Sequence, residues 1–161
     1  MMTKRNLKLA FAMAATVLAT GCASIVNDSS QPIKVETLGE DGKAVAGADC
    51  TLRNDFGTFT MKSGTTAPIH RSGQDLDISC KDATRPEAVA RAISRANAGL
   101  AGNILIGGGI GAIIDHSKGT AYTYPTWMQL QFGKTLVFDR GMEKEGAPVP
   151  GTVPEVKAAG K

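Results

Sequence analysis

Short stretches in which apolar and polar residues alternate recur through the middle of the chain. Alternation places every second side chain on the same face of a β-strand, so one face can be buried while the other meets water. Strands are predicted on this basis over residues 33–37, 44–53, 58–61, near 69, 76–80 and 124–132. Gly, Asn and Asp residues separate them at intervals of roughly 8–12 residues, as in β-sandwiches. The pattern predicts a mainly β fold, a small sandwich over residues 33–133.

Residues 84–97 fit two patterns. Thr84-Arg85-Pro86-Glu87 has the form of a helix capping box, and apolar residues at helical spacing follow it. The same stretch also alternates, with Val89 and Ile93 separated by small and basic residues. We favour a strand over 88–94, and a helix is the alternative.

A glycine-rich apolar segment occupies residues 98–114 and contains one polar residue, Asn103. Gly99, Asn103, Gly107 and Gly111 recur every four residues, so on a helix they form one stripe of small side chains. We expect a helical or hairpin insertion before the last strand that packs closely against the sandwich. The alternative is that this stripe contacts lipid or a second copy of the chain.

Residues 1–21 have the pattern of a secretory signal peptide. Three basic residues precede an apolar run from Leu9 to Leu18, which is too short to span a bilayer as a permanent helix. The signal peptide carries no acidic residue, so the chain that remains has 15 basic and 15 acidic residues. A neutral body of this kind argues against nucleic-acid binding.

The sequence Leu18-Ala19-Thr20-Gly21-Cys22 resembles the bacterial lipobox, with Ala19 as a mild departure. The resemblance implies that Cys22 carries a thioether-linked diacylglycerol and an N-acyl chain such as palmitate. Two or more chains give stable anchoring, at about 0.8 kcal/mol for each buried CH₂. Ala23 follows Cys22, where an Asp would favour the inner membrane. We therefore expect an outer-membrane, periplasm-facing lipoprotein with no cofactor other than this lipid.

Cys50 and Cys80 are the two cysteines that lipid does not use. Export to an oxidising compartment predicts a disulfide between them, and the local alternation turns both thiols inward. Two free buried thiols are the alternative. A zinc site is disfavoured because the chain has no CxxC motif or nearby histidine pair.

Two stretches resemble known families. GKAVAGADCTLRNDFGTF followed by PIHRSGQDLDISCK resembles PEGA-type and carboxypeptidase-regulatory-like modules, which are small immunoglobulin-like sandwiches of envelope proteins. SRANAGLAGNILIGGGIGAIIDHSKGTAYTYPTWMQLQF resembles the C-terminal half of a group of small proteobacterial outer-membrane lipoproteins of unassigned role. The resemblance implies an immunoglobulin-like or PEGA-like sandwich with a strand after the second cysteine, and it says little about activity.

Few residues suggest chemistry. His116 beside Asp115 could act as an oriented base, but such a pair is more often a solvated turn, and His70 has no second ligand at metal spacing. Asp75 and Asp77 are expected on one outward strand face, in solvent. The run Gly107–Gly111 lacks the Lys-Ser/Thr of a phosphate-binding loop. We expect no catalytic residues and no metal site.

Aromatic residues cluster near the predicted last strand. Tyr122, Tyr124 and Trp127 could form a stacking platform for a sugar, or they could be ordinary aromatics at a strand edge.

The predicted organisation is a signal peptide over 1–21, a tether over 22–32, the sandwich over 33–133 and a largely disordered tail over 134–161. We expect a non-enzymatic binding or structural role at the outer membrane. The expected partners are the membrane, through the anchor, and an envelope protein or glycan. The alternatives are a membrane-active or oligomerising lipoprotein that works through the glycine-rich segment and, as the least favoured, an envelope hydrolase.

Overall fold

The computed structural model describes residues 29–97 and 119–154. The predicted signal peptide, Cys22 and the glycine-rich segment with its stripe of Gly99, Asn103, Gly107 and Gly111 lie outside the described residues, as does His116. The expected helical or hairpin insertion therefore stays a prediction.

Twelve strands are found in the described residues, with one short 3₁₀ helix, Arg140–Met142, after the eleventh. The strands are β1 Ser30–Leu38, β2 Ala44–Val45, β3 Asp49–Asn54, β4 Gly57–Lys62, β5 Thr65–His70, β6 Leu76–Asp82, β7 Arg85–Ala92, β8 Arg95–Ala96, β9 Tyr122–Thr123, β10 Trp127–Gln131, β11 Thr135–Phe138 and β12 Gly151–Thr152.

The strands form two main sheets and a short ribbon. In the first sheet, β1 pairs with β10 in parallel and with β2 and β5 in antiparallel orientation. The second sheet has the order β12-β11-β7-β6-β3-β4, and only its β11–β7 pair is parallel. The third element is the two-stranded ribbon β8–β9. The mainly β sandwich predicted from the alternation is confirmed.

The core lies between the two sheets and uses the inward positions of each alternating strand. Ile33 and Val35 of β1 are fully buried, as are Leu52 of β3 and Ile78 of β6 in the second sheet. Met128 of β10 completes the layer contributed by the first sheet. Removal of these apolar side chains from water is the main stabilising contribution to the fold.

The prediction of a strand over 88–94 is confirmed by β7, and the helical alternative is wrong. Ala88, Ala90 and Ala92 face the core, while Val89 points outward and is 37% exposed. Because these three inward side chains are small, β7 can lie close to the opposite sheet. A helix would instead have buried the larger apolar residues that recur at helical spacing.

The predicted tether ends earlier than expected, because β1 already begins at Ser30 and Gln31 is buried. The predicted strand 44–53 is split into β2 and β3. Gly47 lies between them with a φ of 84°, a conformation that favours glycine and ends the extended chain.

The expected disordered tail over 134–161 is wrong for the part of it that the structure describes. Leu136 and Phe138 alternate inward in β11, and Phe138 is fully buried. Val149 is buried as well, and its N–H donates to the carbonyl oxygen of Trp127. β11 is held by its pairing with β7, which is distant in sequence. The Pro- and Gly-rich composition of the residues after β11 gives no sign of that pairing.

Candidate functional site

An open polar groove of about 610 Å³ lies at one end of the sandwich, on the outer side of the second sheet. We call it the polar groove. It is lined by Arg53, Asn54, Asp55, Gly73, Gln74, Asp75, Asp77 and Arg91. This end of the sandwich also carries the start of β1, and we call it the tether end. Two guanidinium groups and three carboxylates therefore face one open space.

Strand register aligns three of the charges. Arg53 of β3 is directly opposite Asp77 of β6, and Asp77 is directly opposite Arg91 of β7. Arg91 Nε donates to Asp77 Oδ1 at 3.2 Å. Arg53 forms no ion pair within the described part of the chain. One positive group in the row is thus available to a ligand.

The other two carboxylates hold the loops that form the wall of the groove. Asp55 Oδ1 accepts a hydrogen bond from the hydroxyl of Ser72, and that hydroxyl accepts one from the N–H of Gln74 at 2.9 Å. Asp75 Oδ1 accepts from the N–H of Ser94 at 2.9 Å. The groove is therefore preorganised by bonds between its own loops, which lowers the entropic penalty of binding.

Tyr124 lies beneath the groove and is completely buried. Its hydroxyl donates to the carbonyl oxygen of Gln74 at 2.7 Å and accepts from Asn54 Nδ2 at 3.2 Å. Burial raises the pKa of Tyr124, and the nearby carboxylates of Asp55 and Asp75 raise it further. The neutral phenol therefore fixes two residues that line the groove.

The structure does not bring Tyr122, Tyr124 and Trp127 together as the stacking platform that was one of the two interpretations of these aromatic residues. Tyr124 has no exposed surface, so it cannot stack on a ligand. Trp127 lies on the outer face of the first sheet, where its ring faces Lys34 Nζ at 4.1 Å from the centroid. Tyr122 belongs to the ribbon and packs next to Gly73. Tyr122 and Tyr124 therefore both meet the Gly73–Gln74 loop, while Trp127 lies apart on the outer face of the first sheet.

Phe56 is an exposed aromatic residue at this end, in the two-residue turn between β3 and β4. Phe56 is 44% exposed, and its ring stacks on His70 with 3.9 Å between the centroids. Asn54 Oδ1 accepts from the N–H of Phe56 at 2.9 Å and shapes the turn. The sequence predicts a turn here but not the exposed ring, for which the one local signal is an aromatic residue at a turn position.

The two acidic residues expected on one outward strand face differ in their surroundings. Asp77 is exposed on β6, as predicted. Asp75 precedes the strand and is half-buried against Ser94. His70 Nδ1 lies 2.9 Å from the carbonyl oxygen of Arg71, so this histidine is tied to the backbone.

A second polar cluster lies on the outer face of the first sheet. Glu36 accepts hydrogen bonds from Trp127 Nε1 at 2.9 Å and Gln129 Nε2 at 2.8 Å, and pairs with Lys34 Nζ at 2.7 Å. Partial burial alone would raise the pKa of Glu36, but these three partners outweigh it and hold the pKa below its usual value. The carboxylate is saturated by neighbours, so the cluster stabilises the β1–β10 pair.

Cys50 and Cys80 form a disulfide, as predicted. They are direct neighbours on β3 and β6, so the bridge lies within the second sheet rather than between the sheets. Both residues are buried. The bridge joins the two strands that carry Arg53 and Asp77 and thereby supports the groove.

Within residues 29–97 and 119–154, no three His, Cys, Asp or Glu side chains are grouped as ligands of a metal ion. The same described residues contain no helix with the length and apolar character needed to cross a bilayer. Comparison of the chain with protein-family models, curated proteins and solved structures gives no match.

Proposed function

We propose that the protein is a lipid-anchored, periplasm-facing envelope protein of the outer membrane that binds a charged ligand without catalysing a reaction. The support for the anchor is the basic and apolar N-terminal pattern that ends in Gly21-Cys22. The support for binding is the polar groove. Its lining side chains provide fixed charges and hydrogen-bonding groups, which suit recognition.

The chemistry of the groove indicates the class of ligand. Arg53 offers a planar set of donors that matches a carboxylate, while Asp77 and Asp75 attract ammonium groups. A ligand with both amino and carboxylate groups complements this alternation. The peptide branches of the cell-wall glycan have that chemistry and lie in the compartment that the anchor implies. The observation that carries the proposal is Arg53, which lies beside the Asp77–Arg91 pair and forms no ion pair with any other described residue.

Co-sedimentation of the detergent-solubilised full-length protein with purified cell-wall glycan tests this function. Arg53→Gln should weaken binding by about twofold to fivefold, since an exposed charge contact contributes up to about 1 kcal/mol. Lys62→Gln is the matched control, because Lys62 is an exposed cation on the same sheet at the opposite end of β3. Equal binding by both variants, or no binding by the unmodified protein, would contradict the proposal.

The anchor has a separate test. Cys22→Ser should lose incorporation of a fatty-acid analogue, and the label should be recovered on the unmodified protein only. Label retained on the Cys22→Ser protein would show that Cys22 is not the lipidated residue.

A further inference from the structure

We propose that β4, at the edge of the second sheet, pairs in antiparallel orientation with β4 of a second copy of the chain. The second sheets of the two copies then form one continuous sheet across a two-fold axis. The polar groove stays open in this pairing, because no residue of β4 lines it. The inference goes beyond the proposed function and depends on neither the anchor nor the ligand.

The first observation is that β4 has a partner strand on one side only. It pairs with β3 along its whole length without a bulge, and no other described strand pairs with it. Asn54 and Gly57 enclose a two-residue turn, and the residue pair that closes such a turn exchanges both backbone hydrogen bonds. Alternation along β4 therefore directs the N–H and C=O groups of Thr58, Thr60 and Lys62 away from β3, toward the open edge.

The position of the disulfide gives an independent check of this hydrogen-bond phase. The Cα atoms of Cys50 and Cys80 are 4.0 Å apart, which is the short spacing of a directly opposite pair that exchanges no backbone hydrogen bonds. The backbone groups of Cys50 therefore point away from β6 and toward Met61 of β4. Because Met61 bonds Cys50, its neighbours Thr60 and Lys62 have their backbone groups on the opposite side.

The other edges in the described part of the chain have protection that β4 lacks. β5 contains Pro68, which has no N–H to donate, and β2 and β12 are two residues long. The open side of β10 accepts a hydrogen bond from Val149 at the carbonyl oxygen of Trp127. By contrast, β4 has six residues and no proline, and its charged side chain, Lys62, is held at 2.6 Å by Asp49. A long, flat and uncharged edge of this kind favours pairing with another chain.

The partner is a second copy because β4 is complementary to itself. Antiparallel pairing centred on Thr60 uses all three residues that face the open edge and forms about six backbone hydrogen bonds. A register shifted by two residues in either direction uses only two of the three. In the centred register, Lys62 lies opposite Thr58 of the second copy, so no like charges face each other across the pair.

The inner side of the same pairing is apolar. Phe59 and Met61 point inward from β4 and are half-buried against the core. The register centred on Thr60 places Phe59 of one copy opposite Met61 of the other. The pairing therefore covers apolar surface that a single sandwich leaves partly exposed, and this adds a hydrophobic contribution to the backbone hydrogen bonds.

Cysteine crosslinking of the full-length protein in the intact envelope tests the pairing. Thr60→Cys should form a disulfide-linked dimer on mild oxidation, because the two Cα atoms lie about 5.5 Å apart in the proposed register, within the range that a disulfide spans. Thr51→Cys is the matched control, since Thr51 is exposed on the same face of the sheet, directly opposite Thr60 on β3. Its two copies are about 14 Å apart, or three strand spacings, so it should give no dimer above background.

Thr58→Cys and Lys62→Cys test the register. Each variant alone should give little dimer, because like positions lie about 14 Å apart along the strands, whereas co-expression of the two should give several-fold more. Thr60→Cys that crosslinks no better than Thr51→Cys would overturn the pairing, and Thr58→Cys that crosslinks to itself as well as it does to Lys62→Cys would overturn it too. Co-sedimentation with the cell-wall glycan is measured separately, so this inference and the proposed function fail independently.

Discussion

The side-chain amide of Gln31 gives Tyr124 both hydrogen bonds that a neighbouring strand would supply. Gln31 Nε2 donates to the carbonyl oxygen of Tyr124 at 3.0 Å, and Gln31 Oε1 accepts from its N–H at 2.9 Å. Gln31 is 3% exposed and Tyr124 is fully buried, so neither bond can be replaced by water. The contact ties the start of β1 to the residue beneath the polar groove.

Gln31→Ala should lower the free energy of unfolding by about 2–3 kcal/mol, because it leaves two buried backbone groups of Tyr124 without partners. Urea unfolding followed by circular dichroism measures the change. Gln74→Ala is the control, since the side chain of Gln74 is exposed and only its backbone binds Tyr124. A loss of stability no larger than that of the control would show that Gln31 does not support Tyr124.

Tyr124 should titrate at a higher pH than an ordinary tyrosine. The chain has two tyrosines, so Tyr122→Phe isolates the absorbance change of Tyr124 on ionisation. Because the folded state raises the pKa of Tyr124, the unfolded state ionises first as the pH rises through about 10, and stability falls in that range. A midpoint at or below 10.0, the ordinary value, while circular dichroism still shows folded protein would contradict the buried phenol.

The Cys50–Cys80 bridge should stabilise the fold because it lowers the conformational entropy of the unfolded chain. It closes a loop of 30 residues, for which the loop-entropy relation gives about 3–4 kcal/mol. The Cys50→Ala, Cys80→Ala double variant should lose about that much in urea unfolding. Alkylation gives an independent check. Denatured Cys50→Ala protein should expose one Cys80 thiol, and two alkylated thiols in freshly isolated unmodified protein would refute the bridge.

The free energy of unfolding should decrease at acid pH as Glu36 becomes protonated. Its partners hold its pKa below the ordinary 4.5, so its contribution is complete above about pH 4.5 and is lost as the pH falls through the folded value. Glu36→Gln should therefore be less stable than the unmodified protein at pH 6, with the difference shrinking toward pH 3. The control is Glu145→Gln, at an exposed position. A difference that stays constant between pH 6 and pH 3 would contradict the assignment.

Alternation carried most of the information about the fold. The inward positions of β3 and β6 follow directly from period-two patterning, and so does the inward orientation of Cys50 and Cys80. Patterning gives the face of a strand but not its neighbour. The sequence therefore predicted the bridge without revealing that both cysteines lie in one sheet, a fact set by the pairing of β3 with β6.

The polar groove could not be predicted for the same reason. Arg53, Asp77 and Arg91 are far apart in sequence, and only the register of three strands brings them into one row. Tyr124 resembles a surface aromatic residue in the sequence because its neighbours Tyr122 and Trp127 are aromatic too. The position of its hydroxyl depends on Gln31, a residue assigned to the tether, and no local pattern connects the two.

Site-specific photocrosslinking in the intact envelope tests the central claim, that the polar groove is the binding site. A photoreactive residue at Gln74, exposed in the groove, is compared with one at Thr60, exposed on β4 of the same sheet. We predict that Gln74 yields an adduct that disappears when the cell-wall glycan is digested, and that Thr60 yields no such adduct. The same adducts from both positions, or none from Gln74 while the protein remains at the membrane, would contradict the account.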